Sequence, residues 1–428
     1  MTRILVAASP IYGHFTPLRA VAEFLADRGH DVSVLGQESF RGSVDTNRVH
    51  FVPFTGRAAV DPMIAVQSDE RMAIPAGPER FAWDMRNSFV EPMAAQHRDV
   101  QEFIAQSGDE PVLLAYETGF LGATPSLLGA PGPRPAAALG LGPVSFTLAS
   151  EDTAPFGMGL PPDNSEAGRA RNREANALVQ GQLLGAAQEL FERTLAELGV
   201  TEQPVPFFLD STVLTADRFL QLSIEELSYH RGDTPDHVRF VGALPAKRAV
   251  GVLPEWWPEV LKADQVVVVT QGTVANHDFA ELIEPTLLAL ADFPGLVVAA
   301  TGRPGEVSHV PANARVTEFV PFDDLLPEAS VLVTNGGFGA VQQALRSGTP
   351  LVTAGLSEEK LENNVRLAAT GAAVDLATER PTPAEVLAGV GEVLGNDSFR
   401  ANAQRLAAEY AKLDAYAEIE KTIAELGF

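Results

Sequence analysis

SVLVTNGGFGAVQQALRSGTPLVTAGLSEEKLENN, residues 330–364, is the stretch that most constrains the fold. It predicts an apolar strand at Val331–Thr334, a turn that contains three glycines, and a helix over residues 341–346 that Gly348 ends. Glycine lets backbone N–H groups approach a ligand closely, and the positive end of a helix dipole favours an anion. The turn is therefore either a phosphate site or an ordinary packing turn.

The second part of this stretch is a further strand, residues 351–354, and a polar cluster at residues 358–364. The cluster is dense in side chains that bind hydroxyl groups. Phosphate and polyol recognition would then lie about one βαβ unit apart. The combination favours a nucleotide-sugar site.

Composition limits the classes of function. At 428 residues the chain is long enough for two or three domains, and its formal net charge of −25 disfavours nucleic acid and anionic membrane surfaces as partners. With no cysteine, disulfides and thiolate chemistry are excluded. The apolar N-terminus is too short before Pro10 for a signal peptide, and no stretch reaches the ~18 apolar residues of a membrane span. We expect a soluble, cytoplasmic protein, either a monomer or a homodimer.

The N-terminal half shows the alternation of a doubly wound parallel sheet. A helix near Pro17, ended by Gly29, follows the first strand. The predicted strands are residues 4–8, 31–35, 51–54, 111–116, 136–139, 219–223 and 238–244.

Two insertions, roughly residues 55–108 and 148–204, are not required by this alternation. Insertions at the carboxyl end of a sheet usually form a binding wall. Apolar side chains predicted to line an acceptor pocket, or else to belong to the core, are Tyr12, Trp83, Phe89, Phe146, Phe156 and Met158.

A Pro- and Gly-rich stretch, residues 245–257, predicts a linker. Predicted domain bounds are 1–244, a linker at 245–260, and 261–407, with a helix at 408–428 packing back on the first domain. Further strands are predicted at residues 266–269, 296–300, 315–319, 331–334 and 351–354. Two such sheets imply a cleft between their carboxyl ends.

Two residues at the predicted edge of the first sheet suggest acid–base chemistry. His14 follows the first strand in a loop before the helix, where the positive helix end favours the neutral imidazole that a general base needs. Glu117 ends another strand at the same edge and is placed to orient that imidazole. The alternatives are a solvated loop histidine and a glutamate that caps the next helix.

The second half offers further ligand-binding candidates. Gly272 and Thr273 form a second anion-suited turn after a strand, and Thr273 is placed to bond a phosphate oxygen. Phe319 with Val320 ends another strand, where the ring either stacks on a nucleobase or packs in the core. No cluster with metal-ligand spacing is evident, so no metal or other cofactor is expected.

Together these motifs resemble family 1 of the GT-B glycosyltransferases, the UDP- or TDP-sugar-dependent group that includes bacterial macrolide and antibiotic enzymes. The resemblance spans nearly the whole chain, from Gly13-His14 to Asn363. It implies two Rossmann-like domains, with an acceptor in the first and a nucleotide sugar in the second. It implies inverting, metal-independent transfer to an acceptor hydroxyl, with His14 as base and Glu117 where the family usually has Asp.

The resemblance also implies which residues meet the donor: Gly272, Thr273, Phe319, Val320, Asn335, Gly336, Gly337, Phe338, Gly339, Ala340, Gln343, Glu359 and Lys360. Four of them depart from the family pattern, where His, a hydroxyl residue, Glu and Gln are usual. These are Asn335, Ala340, Gln343 and Lys360, and they bear on sugar choice. The alternative functions are a nucleotide-sugar epimerase and a non-catalytic relative that activates a partner.

Overall fold

The computed structural model describes residues 2–61, 64, 68–75, 77–228, 231–245, 253–272, 276–357 and 359–428. Thr273, Glu358 and residues 246–252 of the predicted linker lie outside the described residues.

The first half of the described chain forms a parallel sheet whose spatial order is β3-β2-β1-β4-β5-β6-β7. The central strands are apolar throughout, because helices cover both faces of the sheet. Its strands are β1 Arg3–Ala7, β2 Asp31–Gly36, β3 His50–Pro53, β4 Val112–Glu117, β5 Ala137–Gly142, β6 Arg218–Gln221 and β7 Val238–Phe240.

The second half repeats the architecture in a sheet of order β10-β9-β8-β11-β12-β13, again parallel in every described pair. Its strands are β8 Val266–Thr270, β9 Leu296–Ala300, β10 Ala314–Thr317, β11 Val331–Thr334, β12 Leu351–Thr353 and β13 Ala373–Asp375. The prediction of two doubly wound sheets is confirmed, and β13 is a strand that the sequence reading missed. Three residues are too few for periodicity to reveal.

Helices surround both sheets. In the first half they are α1 Tyr12–Asp27, α2 Asp69–Met72, α3 Pro78–Asp84, α4 Met93–Gln106, α5 Thr124–Leu127, α6 Glu166–Leu178, α7 Gly185–Glu197 and α8 Phe208–Leu214, with a π-helical segment at Met85–Val90. In the second half they are α9 Trp257–Val260, α10 Ile283–Ala289, α11 Phe322–Leu325, α12 Phe338–Arg346, α13 Lys360–Ala369, α14 Pro383–Gly395, α15 Asp397–Tyr410 and α16 Ala415–Glu425.

The strand order reverses at one point in each sheet, and these points locate the ligand sites. In the first sheet β1 lies between β2 and β4, and in the second β8 lies between β9 and β11. Ligands of open α/β sheets bind outside the carboxyl ends of the strands at this reversal. His14 and Glu117 flank the first reversal, whereas Gly272 and Asn335 flank the second.

The C-terminal helix α16 crosses back to the first half, as predicted. Ala415, Ile419 and Ile423 are buried in the same apolar cluster as β1 and α1. An ion pair of 3.1 Å joins Arg28 to Glu420 across this contact. No helix in the described part of the chain is long and apolar enough to cross a membrane.

The start of α1 differs from the prediction. The helix begins at Tyr12, so His14 lies in its first turn and not in a preceding loop. The backbone N–H groups of His14 and Phe15 donate to Ile11 O at 3.0 and 2.8 Å, which starts the helix five residues before Pro17. Pro17 is therefore the sixth residue of the helix, where it lacks the N–H that would donate to Gly13 O.

Candidate active site

His14 and Glu117, which lie 103 residues apart in sequence, are brought into direct contact. The His14 Nδ1 to Glu117 Oε2 distance is 2.7 Å. Residue pairing of β1 with β4 aligns Ala7 with Tyr116, and this register places the two following segments side by side. The contact has the geometry of an imidazole oriented by a carboxylate.

The Glu117 carboxylate is completely buried and receives several hydrogen bonds besides the one from His14. The Ser9 backbone N–H and hydroxyl donate to Oε1 at 2.8 and 2.5 Å. The Gly119 N–H donates to Oε2 at 2.6 Å. All four of these groups donate to the carboxylate, as a buried anion requires.

These contacts decide the charge of Glu117. Burial alone would raise the pKa of its carboxyl, but the charge of His14 and the hydrogen bonds from its neighbours lower it below its ordinary value. Glu117 is thus ionised at neutral pH. The alternative role predicted for Glu117, a cap of the following helix, does not account for these contacts, because the donors include His14 and Ser9.

The ionised partner determines the tautomer of His14. A carboxylate only accepts hydrogen bonds, so Nδ1 carries the hydrogen in the 2.7 Å contact. In the neutral ring the lone pair is then on Nε2. The His14 side chain is 16% exposed, which leaves the imidazole partly accessible from the cleft side of the sheet. This arrangement can accept a proton at Nε2 and stabilise the resulting imidazolium.

Phe89 covers this pair from the first insertion. Its ring centroid lies 5.9 Å from that of His14. A Cβ atom at Gly119 would lie 2.6 Å from Phe89 Cε1 and 2.9 Å from Ser9 Oγ. Glycine at position 119 therefore lets Phe89, Ser9 and the Glu117 carboxylate pack together.

We expect Gly119→Ala to lower the free energy of unfolding by about 1–3 kcal/mol, the usual cost of overpacking, and to reduce turnover because Phe89 and Ser9 must move. Gly391→Ala is the matched control, since a Cβ there has nothing within 4 Å. Alanine in that helix interior should be neutral or stabilising by up to about 1 kcal/mol. Urea denaturation checks both values; equal stabilities for the two variants would contradict the packing argument.

The other acceptor-pocket candidates fall into two groups. Tyr12 is 51% exposed and contacts Phe40 edge-on at 6.4 Å. Trp83, Phe156 and Met158 are half-buried in the insertions, and Phe156 packs on Phe81 at 6.4 Å. Phe146 is 3% exposed and contacts Phe219 and Phe240, so its side chain belongs to the core and lines no open surface.

At the second sheet, the conformation of the predicted phosphate turn depends on glycine and on a hydrogen bond to a neighbouring turn. Gly336 has φ +91°, a conformation that favours glycine, and a Cβ there would lie 1.8 Å from Asn364 Oδ1. Asn335 Nδ2 donates to Gln271 O at 2.7 Å. That bond joins the turn after β11 to the turn after β8, where Gly272 has φ +71°.

The residues that follow show which groups of the turn face outward. Gly339 is exposed, while Gly337, Ala340 and Gln343 are half-buried. The Phe338 side chain is 7% exposed in the core, so only its backbone can meet a ligand. Since α12 begins at Phe338, the first N–H groups of that helix lie at this turn, where they are suited to an anion.

Phe319 lies two residues beyond β10 and is 63% exposed. Its ring is therefore available for stacking, and the core-packing alternative is wrong for this residue. Val320 packs against the core beneath it.

Glu359 and Lys360 stand at the beginning of α13. Glu359 is half-buried, and Lys360 is 4% exposed with its backbone N–H donating to Ser357 O at 3.1 Å. The rest of the polar cluster, Glu362, Asn363 and Asn364, is buried and contacts protein groups. The predicted polyol recognition therefore does not extend to these three side chains. The sequence could not show this, because hydroxyl binding and backbone binding use the same side-chain types.

Sequence reasoning missed Ser9 and Gly119. Both donate through backbone N–H groups, which every residue but proline carries, and only the Ser9 hydroxyl adds a contact that depends on residue type. Residue type therefore gives little signal. Their position shortly after the ends of β1 and β4 is the only indication. Among the residues that the structure describes, no group of three or more His, Asp or Glu side chains is arranged to hold a metal ion.

Comparison with known proteins shows the family of the chain. The profile of the erythromycin biosynthesis protein CIII-like C-terminal domain matches residues 284–426. UDP-glycosyltransferase 2 of Phaeomoniella chlamydospora is 38% identical over 99% of this chain and 95% of its own length. 4'-Demethylrebeccamycin synthase of Lentzea aerocolonigenes is 35% identical over 96% of both chains.

Solved structures show the same fold. The spinosyn rhamnosyltransferase SpnG complexed with thymidine diphosphate superposes with a TM-score of 0.69 at 16% identity, covering 99% of this chain and 100% of that one. The chain belongs to the UDP-glycosyltransferase family and has the GT-B fold.

Proposed function

We propose that this glycosyltransferase moves a sugar from a UDP- or TDP-linked donor to a hydroxyl group of a small aromatic or polyketide acceptor, with inversion and without a metal ion. The observation that carries the proposal is the 2.7 Å contact between His14 Nδ1 and the buried Glu117 carboxylate. It supplies an oriented base at the reversal point of the first sheet, opposite the anion-suited turn of the second.

In the proposed step, His14 Nε2 takes the proton of the acceptor hydroxyl as its oxygen attacks the anomeric carbon. The new C–O bond forms while the bond to the diphosphate breaks, and the diphosphate leaves with that electron pair. One displacement converts an α-linked donor into a β-glycoside. Glu117 stabilises the imidazolium by charge and holds its orientation.

The departing diphosphate gains negative charge, and the second sheet offers positive potential there. The first N–H groups of α12 and the dipole of that helix supply this potential. Such preorganised dipoles take the part that a metal ion plays in other transferases. The exposed Phe319 ring supports base stacking, and the half-buried Glu359 supports contact with the sugar.

The relatives support the donor and acceptor classes of the proposal. One is named a UDP-glycosyltransferase, one structure holds thymidine diphosphate, and one is named 4'-demethylrebeccamycin synthase. These names support a proposed donor base of uracil or thymine and a proposed acceptor of the natural-product type.

Purified protein, UDP- and TDP-sugars and a panel of phenolic and polyketide acceptors test the proposal. We expect one nucleoside diphosphate released per glycoside, a β linkage from an α-linked donor by NMR, and unchanged turnover with EDTA. An α linkage would contradict inversion, and loss of turnover with EDTA would contradict metal independence. Interconversion of nucleotide sugars without acceptor would favour an epimerase.

A further inference from the structure

Helix α13 of the donor half is unusual because its polar residues are buried. Glu362 and Asn364 are completely inaccessible, and Asn363 and Arg366 are 3% and 4% exposed. Burying such groups costs free energy unless each one finds partners. Their partners lie on both sides of the cleft, which shows what the helix joins.

One side of these contacts is the acceptor half, in the loop between β5 and α6, residues 143–165. Arg366 Nη1 donates to Phe146 O at 2.9 Å, and the Gly159 N–H donates to Glu362 Oε2 at 3.2 Å. Glu362 Oε1 also accepts a hydrogen bond from Arg366 Nε at 2.8 Å. The two buried charges therefore pair with each other as well as with the acceptor half.

Asn363 makes the connection that reaches the donor site. Its Oδ1 accepts a hydrogen bond from the hydroxyl of Ser145 in the β5–α6 loop. Its Nδ2 donates to Gly336 O at 3.0 Å, in the turn predicted to hold the diphosphate. A single buried side chain thus joins the acceptor half to the phosphate turn.

The β5–α6 loop is well placed to carry an effect to the acceptor. It contains Phe156 and Met158, two acceptor-pocket candidates, and a Cβ at Gly159 would lie 2.5 Å from Leu361 Cγ of α13. Between these contacts the loop is held within the first half, since Arg231 Nη1 donates to Leu148 O at 2.7 Å. The contacts with α13, at Ser145, Phe146 and Gly159, therefore lie on either side of an anchored segment.

We propose that Asn363 is a positioning residue that couples nucleotide binding at the Gly336 turn to the conformation of the β5–α6 loop through Ser145. A nucleoside diphosphate that orders the turn at Gly336 also fixes Gly336 O. Asn363 and then Ser145 are fixed in turn through their hydrogen bonds. Donor binding then shapes the acceptor pocket, and by linkage acceptor binding strengthens donor binding equally. The proposal rests on the donor site described under Proposed function.

Hydrogen exchange of the full chain, with and without saturating UDP or dTDP, tests this coupling. In the wild type we expect nucleotide to slow exchange at residues 334–342. We also expect it to slow exchange at residues 143–160 by about fivefold, the lower end of typical coupling between sites. Ser145→Ala leaves the Asn363 to Gly336 bond in place, so it should keep the first effect and lose the second. Asn363→Ala should lose the second effect as well.

Asn402→Ala is the matched control, because Asn402 Nδ2 donates to Gly371 O at 3.1 Å within the donor half alone. It should behave as the wild type. The coupling is overturned if nucleotide slows residues 334–342 without slowing 143–160, or if Ser145→Ala and Asn363→Ala retain both effects. If neither nucleotide slows residues 334–342, the donor site itself fails and the coupling falls with it.

Discussion

Replacing His14 with alanine is expected to reduce kcat by about 10²- to 10⁴-fold, the usual contribution of a general base. The variant loses the group that takes the acceptor proton, whereas the donor turn stays intact on the other sheet. Nucleotide affinity should therefore change little. Steady-state kinetics with the best donor and acceptor from the panel, together with nucleotide titration, measure both quantities.

His50→Ala provides the control for this prediction. His50 is exposed on β3, where its backbone pairs with Ser33 of β2. Its removal should leave kcat unchanged, which shows that the loss at position 14 is not a general effect of removing a histidine. Full turnover by His14→Ala would eliminate it as the base and leave the reaction to another group.

Replacing Glu117 with glutamine is the second change with a large expected effect, a fall in kcat of about 10²- to 10⁴-fold. The amide cannot stabilise an imidazolium by charge. Ser9 and Gly119 donate to the two different oxygens of the carboxylate. The NH₂ group of glutamine replaces one of these oxygens, so one N–H donor then faces another donor, and His14 loses its orientation.

Glu117→Asp distinguishes the effect of the charge from the effect of side-chain length. The shorter side chain keeps the charge but moves the carboxylate away from one of its donors, so we expect activity between that of the wild type and that of Glu117→Gln. Glu110→Gln is a suitable control, since Glu110 is an exposed partner of Arg3. Equal activity of Glu117→Gln and the wild type would show that the carboxylate has no role in the reaction.

The same carboxylate makes stability depend on pH. The folded-state pKa of Glu117 lies below its ordinary value of 4.5, so the ionised group stabilises the fold fully above that value. This contribution is lost as pH falls through the lower, folded-state pKa. Denaturation at several pH values should show a shallower acid slope for Glu117→Gln than for the wild type; identical slopes would contradict the assignment.

The fold was predictable because its signals are local. Buried strands such as Val266–Thr270 and Val331–Thr334 are apolar up to their last residue, and the glycine turns after them are visible in the sequence. Position after a strand also sufficed to single out His14 and Glu117. In parallel sheets all carboxyl ends meet at one edge, so order along the chain translates into proximity.

The start of α1 and the fate of Phe146 were less accessible to such reasoning. Pro17 favours a predicted helix start at its own position, yet hydrogen bonds from His14 and Phe15 to Ile11 O begin the helix earlier. An aromatic residue after a strand suits a pocket and a core equally well. Which of the two it joins depends on Phe219 and Phe240, which lie far along the chain.

By itself, the sequence determined two parallel sheets, their glycine turns and the chemical types at the strand ends, because apolar runs and turn residues act over a few positions. Only the tertiary structure decided that Ser9 and Gly119 N–H groups hold Glu117, and that Asn363 joins Ser145 to Gly336. Those contacts use backbone groups or buried amides, whose partners are set by strand register and domain packing and leave no pattern in residue type.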